Sequence, residues 1–83
     1  MAHVTVRFFA RYAELTGCES AAVVVAGNAS TVADVLARVR ETVPGARSLP
    51  ARPLAAVNLR QVKLDAPVCD GDEVALLPPM AGG

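Results

Sequence analysis

The sequence predicts an α+β roll, in which one main helix crosses a mixed sheet of four to five strands and a short helical turn follows the first strand. Three observations carry this prediction. The 83 residues are 53% apolar but only 4% aromatic, enough for one core of Val, Leu and Ala and too few for a second. Segments with the two-residue period of strands flank a single stretch with the three-and-four period of a helix. The first two strand segments lie close enough in the chain to pair with each other as a hairpin.

The first strand is expected over His3 to Phe9, where Val4, Val6 and Phe8 alternate with Thr5, Arg7 and Phe9 and so give one buried face. Phe9 is the anomaly, an apolar residue on the polar face. Ala10 to Leu15 can form a helical turn that Gly17 ends. A second strand is expected over Ala21 to Ala26, with Gly27-Asn28 as its turn signal. The main helix is expected from Thr31 to Thr42, because Val32, Val35, Leu36, Val39 and Val43 fall on one helical face. Ser30 or Thr31 can cap it, and with Thr31 as the cap, Asp34 sits where a capping box needs its acid. Arg38 and Arg40 lie in its second half, where positive charge suits the helix dipole. Pro44-Gly45 stops it.

Pro44 to Pro53 reads as a solvated loop, with Arg47 and Arg52 as surface charges. Leu54 to Asn58 reads as a strand. Asn58 tolerates a left-handed turn, so Val62 to Leu64 is expected to return as its hairpin partner. Asp65-Ala66-Pro67 turns again, and Asp70-Gly71-Asp72 leads into a last strand, Glu73 to Leu77. A helix laid over one face of such a sheet buries both apolar surfaces with little chain. The arrangement is the β-grasp, or ubiquitin-like, roll, with residues 1–77 as the domain and 78–83 as a flexible tail.

The composition excludes several kinds of function. Eight basic residues balance eight acidic ones, so no overall field draws the chain to nucleic acid or to an anionic membrane. No apolar run approaches the roughly 20 residues that span a bilayer, and no targeting pattern opens the sequence, which reads as cytoplasmic. His3 is the lone histidine, and metal sites use three or four ligands, so no metal is expected. Cys18 and Cys69 lie outside any metal or redox spacing and read as ordinary reduced thiols, a sulfur-relay role being the alternative. The acids Asp65, Asp70, Asp72 and Glu73 read as a solvated turn, or else as a contact for a basic patch on a partner. No phosphate-binding glycine loop is present, so no cofactor is expected on the chain and any ATP must be bound by another protein.

The remaining signal is Pro78-Pro79-Met80-Ala81-Gly82-Gly83. Two prolines cannot extend a strand ladder and hold the backbone extended, away from the domain. Beyond them the side chains shrink through Met80 and Ala81 to Gly82 and Gly83, so this end can thread a channel as narrow as a backbone. Two final glycines arise by chance in about one chain in two hundred. The chemical group there is the Gly83 carboxylate. A terminal carboxyl ordinarily titrates at about 3.5, so it is ionised at neutral pH and unreactive until it is activated.

Together, Val6-Arg7-Phe8-Phe9-Ala10, Ala56-Val57-Asn58, Asp70-Gly71-Asp72-Glu73-Val74-Ala75 and the Pro-Pro-Met-Ala-Gly-Gly tail resemble the small subunit of molybdopterin synthase over nearly the whole chain. The resemblance implies a sulfur carrier adenylated at Gly83 by a ubiquitin-activating-type enzyme using ATP in trans. A sulfur donor protein then converts it to a thiocarboxylate. It further implies insertion of the tail into the large synthase subunit, within a heterotetramer, and sulfur donation to cyclic pyranopterin monophosphate in molybdenum cofactor biosynthesis. The small subunit is non-catalytic by itself, the catalytic lysines belonging to the large one. Phe9 and Leu77, with Pro78 and Pro79, are the expected docking residues, although the Ala10 to Leu15 segment can instead cover Phe9. Two alternatives remain: a carrier for thiamine thiazole or cysteine synthesis, and a ubiquitin-like interaction domain that is never activated.

Overall fold

A computed structural model of the chain describes residues 1–27 and 30–78. It is a mixed five-stranded sheet crossed by one main helix, with a short helix after the first strand. The elements run β1 (Ala2–Phe8), α1 (Arg11–Thr16), β2 (Ser20–Val25), α2 (Val32–Thr42), a 3₁₀ turn (Ala46–Ser48), β3 (Leu54–Val57), β4 (Arg60–Val62) and β5 (Glu73–Leu77). The sheet order is β2-β1-β5-β3-β4. β1 pairs antiparallel with β2 and parallel with β5, while β3 pairs antiparallel with both β4 and β5. This is the β-grasp roll, with the last strand at the centre of the sheet.

The core forms where the two periodicities meet. Val4, Val6 and Phe8 of β1, Val74 and Leu76 of β5 and Ala55 of β3 face Val32, Val35, Leu36 and Val39 of α2, and all of them are buried. Each large apolar side chain moved there from water contributes about 1.5–3 kcal/mol. Thr31 is the helix cap: its hydroxyl accepts the Asp34 N–H while Asp34 accepts the Thr31 N–H, completing the capping box. Two further amides of the first turn are satisfied from outside the helix. Val32 donates to the Ala66 carbonyl at 3.0 Å and Ala33 to the Leu64 carbonyl at 2.9 Å.

Several boundaries differ from the sequence reading. β1 begins at Ala2 and ends at Phe8, and β2 runs over Ser20–Val25, one residue earlier than expected. The hairpin partner of β3 is Arg60–Val62 instead of Val62 to Leu64. Asn58 does adopt a positive φ, but Leu59 adopts one as well, and a turn of two such residues returns the chain at once. Leu64 therefore lies beyond the hairpin and caps α2.

The stretch from Pro44 to Pro53 is not a wholly solvated loop. Its 3₁₀ turn buries Ala46, Leu49 follows into the core, and Pro53 is buried too. Arg40 ties this stretch to α2 by donating to the Leu49 carbonyl at 3.0 Å and to the Pro50 carbonyl. Gly45 packs so closely on α1 that a Cβ there would overlap the Leu15 carbonyl, and its φ is +82°. Glycine is required at that position for both reasons. Asn28 of the expected turn lies outside the described residues.

Candidate functional site

The last described residues follow from β5. Because β5 lies between β1 and β3, its last residue, Leu77, stands in the middle of the sheet. Its start is held by a polar network: Asn58 Oδ1 accepts the Glu73 N–H at 3.0 Å, Asn58 Nδ2 donates to Asp72 at 3.0 Å, and Asp72 also accepts the Cys69 N–H at 2.8 Å. Asp70 accepts the His3 N–H at 2.7 Å. That backbone bond, followed by the contact with the His3 ring, holds the Asp70 carboxyl below its ordinary value. Asp70 and Asp72 are thus engaged in turn chemistry that fixes β5 against β1 and β3.

On the sheet face away from α2, the register places Leu77 opposite Leu54, Ala75 opposite Ala56, and Arg7 beside Ala75. Phe9 follows one residue after the Phe8↔Leu76 pair. The Arg7 guanidinium lies 5.6 Å from the Phe9 ring centroid and 3.8 Å from Glu73, so the ring sits on this same face. The α1 segment leaves Phe9 39% exposed, and Leu54 is 40% exposed. Leu77 and Ala75 are half-buried. Apolar groups therefore gather on the uncovered face near the end of β5, flanked by the Arg7–Glu73 ion pair.

Pro78, the last described residue, is half-buried and lines a cavity of about 300 Å³ with Arg11, Tyr12, Leu15, Ser48 and Pro50. The tail residues Pro79, Met80, Ala81, Gly82 and Gly83 lie outside the described residues. Leu54 and Tyr12 belong to this region and are not among the site residues expected from the sequence. Leu54 sits in an apolar run, Leu54-Ala55-Ala56-Val57, whose lack of alternation hides which face it takes. Among the described residues no three His, Cys, Asp or Glu side chains group as metal ligands, and no helix is long and apolar enough to cross a membrane. Cys18 is half-buried and Cys69 exposed, both free thiols.

The profile of the ThiS family matches residues 6–83. The chain belongs to the ThiS family. A curated relative, the molybdopterin synthase sulfur carrier subunit of Escherichia coli (strain K12), is 60% identical over 30 residues, which cover 36% of this chain and 37% of the relative. The match thus spans little more than a third of that relative's length. Solved structures share the ThiS-family chain's fold over almost its whole length. The small archaeal modifier protein 1 of H. volcanii superposes with a TM-score of 0.84 at 31% identity, covering 96% of this chain and 100% of that one. A chain from the complex of subunits 1 and 2 of the molybdopterin-converting factor from Helicobacter pylori gives a TM-score of 0.68 at 27% identity, covering 98% and 99%.

Proposed function

We propose that this ThiS-family chain is the sulfur carrier subunit of molybdopterin synthase, with the Gly83 carboxylate as its working group. The observation that carries the reading is the family match itself, which runs through Gly82 and Gly83 to residue 83. The likeness to an Escherichia coli sulfur carrier subunit and to one chain of a two-subunit converting factor supports the specific pathway.

The chemistry proceeds in two displacements. A carboxylate oxygen of Gly83 attacks the α-phosphate of ATP held by a ubiquitin-activating-type enzyme; pyrophosphate leaves and an acyl-adenylate forms. Hydrosulfide released by a donor protein then attacks the acyl carbon through its sulfur, AMP departs with the C–O electron pair, and loss of the S–H proton leaves the thiocarboxylate. The resulting thiocarboxylate enters the large synthase subunit and gives its sulfur to cyclic pyranopterin monophosphate. The domain's part is positional. β5 ends at the centre of the sheet, and the sequence after it tapers from Met80 and Ala81 to Gly82 and Gly83, where a Cβ would widen the thread. Phe9 and Leu77, joined by Leu54, supply an apolar docking surface for the large subunit near the end of β5. The protein acts in the cytoplasm, together with the ATP-using partner that activates it.

The likeness to a protein named a modifier favours one second reading, in which the same activated carboxylate serves a different acceptor. A reconstitution separates the two. Thiocarboxylated chain mixed with the large subunit and cyclic pyranopterin monophosphate yields molybdopterin on the first reading. Sulfur loading with no molybdopterin formed assigns the carrier to another pathway.

A further inference from the structure

The two edges of the sheet are built differently, and the difference marks a binding surface apart from the site described above. β4 closes one edge with three residues, Arg60, Gln61 and Val62, and Lys63 follows directly. Brevity and positive charge are ways in which native sheets discourage a further strand from adding. β2 closes the other edge with six residues, Ser20–Val25, that contain no charge and no proline. Its pairing with β1 runs without a bulge from Ala2↔Val25 to Arg7↔Ser20.

The register fixes the direction of each backbone group in β2. The Phe8 N–H donates to the Glu19 carbonyl at 2.9 Å, which makes those two a hydrogen-bonded pair, and such pairs alternate along an antiparallel ladder. Ala21, Val23 and Val25 therefore turn their N–H and C=O groups toward β1. Ser20, Ala22 and Val24 turn theirs outward. The outward row ends at Ala26, whose carbonyl accepts the Ser30 hydroxyl. Among the described residues nothing else bonds to it.

An extended strand is what such a row accepts, and the surroundings specify its charge. Beside β2 lies a groove of about 510 Å³ shared with α2, whose walls include Val24, Ala26, Ala37, Arg38 and Glu41. Arg38 and Glu41 pair with each other at 3.8 Å, and Asp34, also on the wall, is occupied in the helix cap. The fitting occupant is a neutral, small-residue strand, and β2 itself meets that description.

The geometry points to antiparallel pairing of β2 with β2 of a second copy of this chain, centred on Ala22. In that register Ala22 meets Ala22 of the second copy, Ser20 meets Val24, Ala21 meets Val23, and Glu19 meets Val25. No like charges face one another, and the smallest side chain lies on the two-fold axis, as a self-complementary interface requires. A strand pair of this length buries less than the roughly 1,600 Å² of a standard interface, so the dimer is weak and concentration-dependent. Phe9, Leu54 and Leu77, at the end of β1 and in β3 and β5, are not part of this edge. The inference therefore stands or falls separately from sulfur transfer.

Residue-resolved amide hydrogen exchange on the full chain at low and high protein concentration, with sedimentation equilibrium alongside, tests it. The expected result is that Ala22 and Val24 amides exchange tenfold or more slowly at high concentration, whereas Ala21 and Val23 are protected at both. Ala22→Pro removes an outward donor and leaves the β1 ladder intact. It is expected to weaken dimerisation tenfold or more, and Ala22→Lys provides the same test should proline disturb the strand. A monomer at all concentrations whose outward amides exchange freely overturns the inference. Protection of those amides that is independent of concentration, or that arises only when another protein is added, overturns it equally by giving the edge a different occupant.

Discussion

The two faces of the sheet use the same kinds of side chain for different ends. On the α2 side, Val6, Val74 and Leu76 are sealed under the helix, where burial explains them completely. On the other side, Phe9, Leu54 and Leu77 gather near the end of β5 and remain accessible. Folding alone does not account for that second group, since a stable roll needs only one covered face. The lesson is that the residues which hold this protein together and those left accessible on the open face are separated by strand parity. One residue of register decides which role an apolar side chain takes.

Substitutions on the two faces should therefore fail in different ways. Leu76→Ala, on the covered face, is expected to cost about 2–5 kcal/mol of stability through lost burial and the cavity left behind. Leu54→Ala should cost less than about 1 kcal/mol, because much of that side chain is already in water. Urea denaturation of both variants checks the contrast, and equal losses would erase the distinction between the faces.

A binding measurement sharpens it from the other side. Phe9→Ala combined with Leu77→Ala is expected to weaken affinity for the large synthase subunit at least tenfold, about 1.4 kcal/mol, with the fold retained by circular dichroism. Unchanged affinity would show that the open face is not where the partner docks.

The smallest expected effect lies at the turn before β5. The Asp70 carboxyl is held below its ordinary value chiefly by the His3 backbone N–H. A group lowered in this way stabilises the folded state above its unfolded value, and that contribution is lost as pH falls through the folded one. Asp70→Asn should thus flatten the acid limb of the stability profile slightly, the group being exposed. Chemical denaturation from neutral pH down to below the ordinary aspartate value of 3.8 measures the change, and an unaltered acid limb would mean that the turn bond does not matter to folding.

How far the sequence reveals the fold differs from one segment to the next, for physical reasons. The α2 stripe and its Thr31–Asp34 cap are legible because eleven helical residues give the period room to show and the cap has its own side-chain signature. β5 is legible because Asp70-Gly71-Asp72 announces it. The buried Ala46 and Leu49 are hidden, since a single 3₁₀ turn is too short to display a period. β4 is misplaced by the sequence because Leu59 takes a left-handed conformation that leucine rarely adopts. Of the site, Phe9 stands out in the sequence by breaking the alternation of β1. Leu54 becomes visible only through its pairing with Leu77. The chemical expectation rests on Pro78 to Gly83, of which only Pro78 lies among the described residues.

The central claim is that sulfur is carried on the Gly83 carboxylate. Its most direct test is the intact mass of two proteins, the native chain and one extended by a single alanine after Gly83, each incubated with ATP, the activating enzyme and a sulfur source. The account predicts that the native chain exchanges one oxygen for one sulfur at its terminal residue, while the extended chain, equally stable by thermal melting, acquires none. Sulfur uptake by the extended chain, or its appearance on Cys18 or Cys69 instead of Gly83, would contradict it.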